Sequence, residues 1–467
     1  MGWSLAEILA ATGGKVICAA KAPRCGEIVT DSTKVKSNSI FVALKGERHD
    51  AHRFVGEAVR RGARCVVVHR ALPLATFGRA TAVKVDDTLR ALGDLAHYRR
   101  EKLAPKVLAI TGSNGKTTTK EMVAAILEAG SLDGESLRGR VLKTEGNFNN
   151  LVGLPLTLLL LRKRHKIAIV ELGTNHPGEI GRLAEIADPD MGIITSVAPA
   201  HLEGLSSLAG VAREKGALYR NVRAGGAIAL NLDDPRVRRL GASFAGKKLT
   251  YGRRGAIRAL SQRMRAANGV EFVLQAGRAR RKIRLNYLGQ HNVTNALGAA
   301  ALALGAGVSL AAVRRGLDQA KPFSMRMQVE SWRGIGLIND AYNANPGSMK
   351  AALETLREID CRGKKVAVLG DMFELGKHSR KEHRELGKAA AAAKIQHLFL
   401  LGRQVGEVLR GAVRAGMRPE QISIGVDHSD LARQLRRQVK RGDWLLFKGS
   451  RGMKMERVLH ELKGGAL

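Results

Sequence analysis

The stretch A-I-T-G-S-N-G-K-T-T-T, residues 109 to 119, follows an apolar run and precedes a helical pattern over residues 120 to 127. Glycines at positions 112 and 115 allow backbone amides to approach phosphate oxygens, and the N-terminus of the next helix adds a partial positive charge. In such a loop the lysine reaches the β- and γ-phosphates and the following hydroxyl binds Mg²⁺, which predicts these roles for Lys116 and Thr117. The order of strand, loop and helix predicts a nucleotide-binding α/β domain.

The match to the full pattern G-x-x-x-x-G-K-[ST] is incomplete, because Ile110 stands where the pattern has glycine. The alternative is a tight turn between a strand and a helix, which Gly and Thr also favour. A lysine directly after the second glycine has no use in a turn. The structural context therefore favours nucleotide binding, although the motif alone is weaker evidence.

Short apolar runs recur along the chain and alternate with longer helical patterns rich in Ala and Leu. The runs are residues 65 to 68, 107 to 110, 167 to 170, 192 to 194, 366 to 369, 398 to 401 and 444 to 447. Strands that alternate with helices predict βαβ units and parallel sheets. Several runs end at Gly, Thr, Ser or a carboxylate, and open α/β sheets bind their ligands at this edge.

Two polar stretches that contain proline divide the chain, K-L-A-P-K at 102 to 106 and K-P-F-S at 321 to 324. At roughly 150 residues per domain, a chain of 467 residues is expected to hold about three domains. We predict domains over residues 1–104, 105–321 and 322–467. Residues 131 to 140 are polar and contain glycine, which predicts a surface loop.

The net charge is unusual: 78 Lys and Arg against 42 Asp and Glu give +36. This charge favours anionic partners, but it does not choose between nucleic acid, anionic membranes and phosphorylated small molecules. The basic clusters at 161 to 166, 278 to 284 and 436 to 441 are scattered and interleaved with apolar residues, which favours a solvated surface over a dedicated nucleic-acid footprint. Aromatic residues make up only 4%, which weakens any hypothesis of base stacking. We therefore expect no specific nucleic-acid partner.

Four cysteines without C-x-x-C spacing predict free thiols in a reducing compartment. The longest apolar runs, at 154 to 161 and 296 to 308, are shorter than the ~18 residues that a membrane span needs. The first residues carry no basic region before their apolar stretch, unlike a secretory signal. These features predict a soluble cytoplasmic protein, with a monomer as the default.

A phosphate loop also needs a carboxylate at the end of a neighbouring strand to hold its metal. Glu171 directly follows the apolar run 167 to 170 and is a candidate, with an ordinary surface glutamate as the alternative. His201, in T-S-V-A-P-A-H-L-E, is a second candidate. Taken by itself, a histidine more often caps a strand or lies in a core, so this second assignment stays open.

Further sequence blocks cover nearly the whole length of the chain. They are D-S-T-K (31 to 34), I-F-V-A-L-K-G-E-R-H-D (40 to 50), T-G-S-N-G-K-T-T-T-K-E (111 to 121), G-N-F-N-N-L-V-G-L-P-L-T-L (146 to 158), E-L-G-T-N (171 to 175), A-H-L-E-G-L (200 to 205), G-Q-H-N-V-T-N-A-L (289 to 297), N-D-A-Y-N-A-N-P-G-S-M (339 to 349), L-G-D-M-F-E-L-G (369 to 376) and F-K-G-S-R-G (447 to 452). Together they resemble the Mur ligases, ATP-dependent amino-acid ligases that extend the peptide stem of cell-wall precursors. The resemblance implies three α/β domains: an amino-terminal domain for the UDP-linked substrate, a central P-loop-type ATPase domain with a parallel sheet, and a Rossmann-like carboxyl-terminal domain for the incoming amine.

The blocks G-N-F-N-N, E-L-G-T-N, Y-N-A-N-P-G-S-M and K-G-S-R resemble the family members that join D-alanyl-D-alanine to UDP-N-acetylmuramoyl-tripeptide. This resemblance implies ATP and Mg²⁺ as cofactors and a reaction through an acyl phosphate. The phosphate loop alone is shared with sister ligases and folylpolyglutamate synthetases. A sister amide ligase is thus the nearest alternative, and a nucleic-acid-dependent ATPase and a non-catalytic nucleotide-binding scaffold are more distant ones.

The resemblance also implies site residues. It assigns catalytic roles to Lys116, Glu171, His201 and Lys215. Nucleotide contacts are implied for Gly112, Ser113, Asn114, Gly115, Lys116, Thr117, Thr118, Asn292, Asn295, Arg326 and Asp340. Mg²⁺ is implied to bind Thr117, Glu171, His201 and Lys215, the last as a carbamylated lysine. Substrate contacts are implied for Ser32, Thr33, Asn147, Asn149, Asn150, Tyr342, Asn343 and Asn345.

Two of these assignments have plainer alternatives. Composition alone makes Lys215 a solvated helix lysine, and the alternative for D-S-T-K is a turn capped by Asp31. Three positions depart from the family pattern: Ser196 stands where Asn is frequent, Ser207 where Gly is usual, and Ala217 where Glu is frequent. These departures are expected to weaken the support of the metal site and to leave the metal-binding residues in place.

Overall fold

The computed structural model describes residues 2–20, 24–46, 49–265 and 268–464. Glu47 and Arg48 of the block 40 to 50, and the outermost residues of the first and third predicted domains, lie outside the described residues. By its contacts the chain divides into two compact units. Unit 1 comprises Met1–Ala109, Gly139–Gly173 and Gly181–Asp190, and unit 2 comprises Ile110–Arg138, Thr174–Ile180 and Met191–Leu467.

Unit 1 contains a five-stranded sheet with the order β1-β5-β4-β3-β2. Its strands are β1 (Lys15–Cys18), β2 (Ile28–Val29), β3 (Ile40–Val42), β4 (Cys65–Val68) and β5 (Thr81–Lys84), and its helices include α1 (Leu5–Thr12), α2 (Val55–Arg60) and α3 (Thr88–Leu103). Strands β2 to β5 are parallel and β1 is antiparallel to β5. Buried side chains such as Phe41, Val55 and Phe77 form a core between this sheet and α2.

A second set of strands in unit 1 surrounds the start of the phosphate-loop strand. The elements are β6 (Lys106–Thr111), which begins in unit 1 and ends in unit 2, β9 (Val141–Lys143), α5 (Gly153–Leu159), β10 (Ile167–Glu171) and most of α6 (Glu179–Ala187). Strands β9 and β10 pair in parallel, and the Lys106 N–H donates to the Lys166 carbonyl at 2.9 Å. Strand β10 is buried along its whole length, as its apolar sequence predicts.

Unit 2 begins with the phosphate-loop helix and a mixed sheet. Its elements are α4 (Lys116–Glu128), β7 (Ser131–Leu132), β8 (Glu135–Ser136), β11 (Met191–Ile194), α7 (Leu202–Leu205), α8 (Leu208–Arg220), β12 (Ala227–Asn231), α9 (Pro235–Leu240), β13 (Lys247–Tyr251), β14 (Ile257–Met264), β15 (Val270–Ala276), β16 (Ala279–Leu285), α10 (Gln290–Ala306) and α11 (Leu310–Gln319). Strands β11 to β14 are parallel, and β15 and β16 extend the sheet in antiparallel fashion. Helix α10 lies close against it, because a Cβ atom at Gly298 would lie 2.9 Å from the Ile193 side chain.

The rest of unit 2 forms a six-stranded sheet with the order β17-β18-β22-β19-β20-β21. Its elements are β17 (Gln328–Trp332), β18 (Ile335–Asn339), α12 (Pro346–Glu358), β19 (Lys365–Gly370), α13 (Ser379–Ala392), β20 (His397–Leu401), α14 (Val405–Arg414), β21 (Ile422–Ile424), α15 (His428–Gln438), β22 (Trp444–Lys448) and α16 (Glu456–Leu462). Strands β18, β22, β19, β20 and β21 are parallel, and β17 is antiparallel to β18. Because β18 and β22 pair, the residues that follow them lie side by side at one edge of this sheet.

All seven apolar runs form strands, so the predicted α/β class with parallel sheets is confirmed. The prediction of a plain surface loop over residues 131 to 140 is wrong in part, because β7 and β8 form a small antiparallel hairpin. Asp133 and Gly134 make its turn with φ values of 50° and 82°, which match the positive φ values of a type I′ turn. Among the described residues, no helix combines the length and apolar character that would let it cross a membrane.

Candidate active site

The phosphate loop depends on two glycines that no other residue could replace without a clash. Gly112 and Gly115 have φ values of 151° and 82°. A Cβ atom at Gly112 would lie 1.9 Å from the Thr195 Oγ1 atom, and one at Gly115 would lie 2.3 Å from the Asn295 Oδ1 atom. The loop therefore packs its bare backbone against the neighbouring segments, and α4 begins directly after it at Lys116.

The segment after β11 holds this loop in place. The Ser113 N–H donates to the Ser196 carbonyl at 2.9 Å, and the Asn114 N–H donates to the Ser196 hydroxyl at 3.1 Å. The Lys116 ammonium donates to the Gly112 carbonyl at 2.7 Å, which folds the side chain back across the loop. Ser196, one of the departures from the family pattern, thus gives the loop direct support.

A cavity of about 470 Å³ opens at this loop, and its lining comes entirely from unit 2. Its volume lies in the ordinary range for sites that bind small molecules, about 300 to 1,000 Å³. The predicted residues that line it are Ser113, Asn114, Gly115, Lys116, Thr117, Thr118, His201, Asn292, Asn295, Arg326, Asp340, Tyr342, Asn343 and Asn345. The structure therefore brings together residues that are up to 232 positions apart, and the Asn345 amide donates to the Asn114 side chain at 2.8 Å.

Arg326 provides a test of whether the cavity suits a polar ligand. Its guanidinium lies over the Tyr342 ring, 4.1 Å from the ring centroid. Its Nε atom is buried and has no hydrogen-bond partner among the described residues. A buried donor without an acceptor is costly, so this atom fits a ligand that carries oxygen acceptors, such as a nucleotide.

Asp340 is held by a lysine to which the sequence assigned no role. The Lys448 side chain is almost fully buried, and its ammonium donates to the Asp340 carboxylate at 2.5 Å and to the Asn343 carbonyl at 3.0 Å. The other carboxylate oxygen of Asp340 accepts from the Met327 N–H at 3.1 Å. The pair orders the loop that follows β18, at the edge of the cavity.

His291 lies beside this pair and also lines the cavity. Partial burial of the ring disfavours its charged form and lowers its pKa to about 4; Asp340 opposes this shift and Lys448 reinforces it. The imidazole is therefore neutral at pH 7 and can accept a hydrogen bond at one ring nitrogen.

This lowered pKa predicts a dependence of stability on pH. Between the unfolded value near 6.5 and the folded value of about 4, the unfolded chain binds more protons, so stability falls as the pH decreases through this window. Relative to wild type, His291→Asn should remove at most about 3 kcal/mol of this loss, measured as hydrogen-exchange protection of the α10 amides at pH 7 and pH 4, each relative to the intrinsic exchange rate at that pH. His460→Asn, at an exposed position, is the control; a His291→Asn curve parallel to wild type would contradict the assignment.

His201 also lines the cavity; it directly precedes α7 and has a left-handed φ of 53°. Its Nδ1 atom lies 2.6 Å from a carboxylate oxygen of Glu374, and the hydrogen bond between them lowers the pKa of Glu374. His201 is neither a core residue nor a cap on a strand, the alternatives that its sequence left open.

The fit to a divalent cation rests on donor chemistry. Thr117 offers a hydroxyl at the start of α4, and His201 offers an imidazole on the same cavity. Among the described residues, no three His, Cys, Asp or Glu side chains are grouped so that they could hold a metal ion. Mg²⁺ commonly takes one or two protein ligands together with phosphate oxygens and water, so these donors fit an ion that arrives with a nucleotide.

Glu171 lies in unit 1, at the end of the buried strand β10, and is itself buried. Its backbone N–H donates to the Thr144 hydroxyl at 3.0 Å, and its carboxylate accepts from the Asn149 amide at 2.9 Å. The alternative of a surface glutamate is therefore wrong. Asn147 and Asn150 are in the same block in unit 1, and the Asn150 side chain accepts from the N–H of Gly153, the first residue of α5, at 2.8 Å.

The D-S-T-K block, also in unit 1, forms a turn, the structure given above as the alternative to a substrate-binding role. The Asp31 carboxylate accepts from the Thr33 N–H at 3.0 Å and from the Thr33 hydroxyl at 2.7 Å. Ser32 is buried within this turn. A turn does not exclude a substrate contact, so both hypotheses for the block remain.

Lys215 is buried in α8, at 1% exposure, so it is not a solvated helix lysine. It does not line the cavity at the phosphate loop. The preceding Glu214 accepts hydrogen bonds from the Gly178 N–H at 2.8 Å and the Ile180 N–H at 2.7 Å. Ser207, a second departure from the family pattern, caps α8 by accepting from the Gly210 N–H.

Three family models match successive parts of the chain. They are described as "Mur ligase family, catalytic domain" over residues 26–100, "Mur ligase middle domain" over 110–303, and "Mur ligase, glutamate ligase domain" over 325–451. A curated relative from Haemophilus influenzae is 37% identical over 94% of this chain and 93% of its own length. The chain belongs to the Mur ligase family.

The Haemophilus relative of this Mur ligase is named UDP-N-acetylmuramoyl-tripeptide–D-alanyl-D-alanine ligase. A crystal structure of MurF from Acinetobacter baumannii superimposes with a TM-score of 0.90 at 33% identity, covering 100% of this chain and 99% of the other. A MurF ligase from Thermotoga maritima, solved in complex with ADP, has a TM-score of 0.82 at 27% identity, over 94% of this chain and 97% of the other. The predicted architecture of amino-terminal, middle and carboxyl-terminal Mur ligase domains is thereby confirmed.

Several residues of the cavity in this Mur ligase were not singled out from the sequence. They are Asn231, Asp233, Asp234, Arg236, His291, Ser348, Phe373, Glu374 and Lys448. His291, Glu374 and Lys448 belong to blocks on which the family resemblance rests, and this membership could have marked them as candidate site residues. Asn231 to Arg236 follow β12 directly, and the general rule for the carboxyl ends of strands could have found them.

Proposed function

We propose that this Mur ligase joins D-alanyl-D-alanine to UDP-N-acetylmuramoyl-tripeptide, with ATP as the energy source and Mg²⁺ as the metal. One observation carries the proposal: the phosphate loop and the Y-N-A-N-P-G-S-M block, from different parts of the chain, line one cavity in a member of this family. A nucleotide site that faces the residues most typical of the D-Ala-D-Ala-adding enzymes is what this reaction requires.

The chemistry overcomes the low reactivity of a carboxylate. In the proposed reaction a carboxylate oxygen of the tripeptide attacks the γ-phosphorus of ATP, and ADP leaves, which gives an acyl phosphate. The amine of D-Ala-D-Ala then attacks the carbonyl carbon, loses a proton, and displaces phosphate as the amide forms. No enzyme nucleophile is needed, so the protein contributes by positioning and by electrostatics.

The residues of this chain have distinct proposed tasks. Lys116 and the loop amides neutralise the phosphates, while Arg326 and Asp340 hold the nucleotide in the cavity. Thr117 and His201 are proposed Mg²⁺ ligands, with Glu171 and a carbamylated Lys215 as further ligands implied by the family. Bound Mg²⁺ would supply charge neutralisation at the phosphates.

The domain boundaries are proposals of the same kind. Residues 1–104 are proposed to hold the UDP-linked end through Ser32 and Thr33, residues 105–321 to bind ATP, and residues 322–467 to bring the dipeptide. Asn147, Asn149 and Asn150, with Tyr342, Asn343 and Asn345, are proposed to contact the peptide. A monomeric state and a cytoplasmic location also stay predictions.

The test is a reconstitution with the full chain. With ATP, Mg²⁺ and UDP-N-acetylmuramoyl-tripeptide, addition of D-Ala-D-Ala should release phosphate and give a pentapeptide product, identified by mass spectrometry. Hydroxylamine in place of the dipeptide should trap the acyl phosphate as a hydroxamate. Both the lysine and the diaminopimelate tripeptide are supplied, because the sequence does not choose between them.

The control reactions separate the alternatives. A sister ligase would release phosphate with the UDP-linked dipeptide and a third-residue amino acid, and a polyglutamate synthetase would do so with a folate and glutamate. Phosphate release that RNA or DNA stimulates in the absence of any amino-acid substrate would identify a nucleic-acid-dependent ATPase. Any of these results without pentapeptide formation would overturn the proposal.

A further inference from the structure

The loop between β19 and α13, residues 371 to 378, is seated on α7 at the rim of the cavity. The Glu374 carbonyl accepts from the Glu203 N–H at 3.2 Å. At Gly376 a Cβ atom would lie 3.6 Å from the Glu203 Cα, so the two backbones are close neighbours. The carboxyl-terminal sheet therefore reaches the central part of unit 2 at the residues that follow His201.

The side chains at this contact meet in a short, directed hydrogen bond. His201 Nδ1 and a carboxylate oxygen of Glu374 are 2.6 Å apart. An ionised carboxylate can only accept, so the proton between them belongs to Nδ1 of the ring. Nε2 then carries the lone pair, and it is the ring nitrogen available to a ligand in the cavity.

Both residues have backbone conformations that non-glycine residues seldom adopt. His201 has a φ of 53° and Glu374 has a φ of 61°. Such conformations persist where the surroundings impose them, and they are frequent at functional sites. Two of them on opposite sides of a single hydrogen bond indicate that the contact is specified by the fold.

The loop is also held on its other side. The Phe373 N–H donates to the Ser450 hydroxyl at 2.8 Å, and the Ser450 N–H donates to the Asp371 carbonyl at 2.9 Å. Leu375 is buried, at 2% exposure. Glu374 is thus fixed by the carboxyl-terminal sheet, whereas His201 is fixed by the segment between β11 and α7.

We propose that Glu374 is a positioning residue that orients His201 and so makes the cation site of the proposed ligase depend on the seating of the 371–378 loop. The inference rests on the proposed function, because it assigns His201 Nε2 to the divalent cation. Carboxylates that accept from the second nitrogen of a metal-binding histidine fix its tautomer, and their removal typically weakens metal binding by about 10- to 100-fold. Glu374 would fix the tautomer of His201 from a different part of the chain, so that His201 is oriented to bind the cation only when the 371–378 loop contacts α7.

A purely structural role for Glu374 is the competing explanation. The carboxylate is half-exposed, and its contact with His201 could simply hold the loop on α7. The two explanations differ in what they predict for the imidazole. If Glu374 orients His201, removing its carboxylate changes the tautomer of His201 and the affinity for the cation. If Glu374 only holds the loop, its removal changes local stability alone.

The experiment uses the full chain with Mn²⁺ as a paramagnetic substitute for Mg²⁺. Ring ¹⁵N shifts of histidine-labelled protein report the tautomer, with the His201 signal assigned from its loss in His201→Ala, and electron paramagnetic resonance reports the Kd of Mn²⁺ in the presence of ADP. Glu374→Ala should shift His201 away from the Nδ1–H form and raise the Kd about 10-fold. Glu374→Gln, whose amide oxygen can still accept from the ring, should retain the tautomer and give a smaller rise.

Glu420→Ala and Glu420→Gln are the matched controls, because Glu420 is an exposed carboxylate of the same sheet region that does not line the cavity. In a His201→Ala background, Glu374→Ala should have no further effect on the Kd. An unchanged tautomer and Kd in Glu374→Ala, or an equal rise in the His201→Ala background, would overturn the inference. Pentapeptide formation by the wild-type chain tests the proposed function separately, so the two failures are distinguishable.

Discussion

Replacing Lys116 by alanine is expected to reduce turnover by about 10²- to 10³-fold while the chain stays folded. Removing a single preorganised donor from a site of developing charge typically costs about 10²- to 10³-fold. Lys116 is the first residue of α4 and contacts the loop carbonyl of Gly112. Alanine has the highest helix propensity, so α4 should form in the variant.

The measurement is phosphate release with all three substrates, together with the ADP affinity by calorimetry and the melting temperature. Lys163→Ala, at an exposed position, removes the same charge and is the control. The control should retain wild-type turnover, which separates the local effect from the reduction of the +36 net charge. A folded Lys116→Ala chain that turns over normally would remove Lys116 from the mechanism.

The loop around Lys116 shows how far a sequence can lead. Its two glycines, lysine and threonine lie within the six residues 112 to 117, and each has a separate physical reason to be there, so the pattern predicts both the local structure and the ligand. The strands could also be predicted from the sequence, because buried parallel strands are continuous apolar runs bounded by polar residues. The proline-bearing stretches at 102 to 106 and 321 to 324 interrupt the alternation of strands and helices, and the domain boundaries placed there stay predictions.

Contacts between distant segments could not be predicted in this way. Glu374 lies 173 positions from His201, and nothing in either segment specifies the hydrogen bond between them. The burial of Lys215 could not be predicted either. A lysine in a helix is usually exposed, and only the packing of α8 shows that this one is buried. The family resemblance singled out Lys215 and placed Glu374 in a block, whereas the structure shows that Lys215 is buried and that Glu374 contacts His201.

Replacing Lys448 by methionine is expected to lower the local stability of the β18 and β22 edges by up to about 3 kcal/mol. Lys448 is 2% exposed, and its ammonium is the charged partner of the Asp340 carboxylate. Methionine fills a similar volume but leaves that carboxylate without its counter-charge. An uncompensated buried charge costs about 3 to 5 kcal/mol, and the 13% exposure of the Asp340 side chain to the cavity reduces this cost. The Asn343 carbonyl loses a donor as well, which should loosen the loop that lines the cavity.

Hydrogen exchange at the amides of β18 and β22 measures this loss locally, which suits a chain with several domains because its global unfolding need not be two-state. Lys364→Met, at an exposed position near the start of β19, is the control and should leave exchange unchanged. Asp340→Asn removes the negative charge of the pair. The loss of stability in the double variant should therefore be smaller than the sum of the two single losses, by at least about 1 kcal/mol. If the losses of the two single variants simply add in the double variant, the two side chains do not act as a pair. The Lys448–Asp340 ion pair would then not be what orders the Asp340–Asn345 loop.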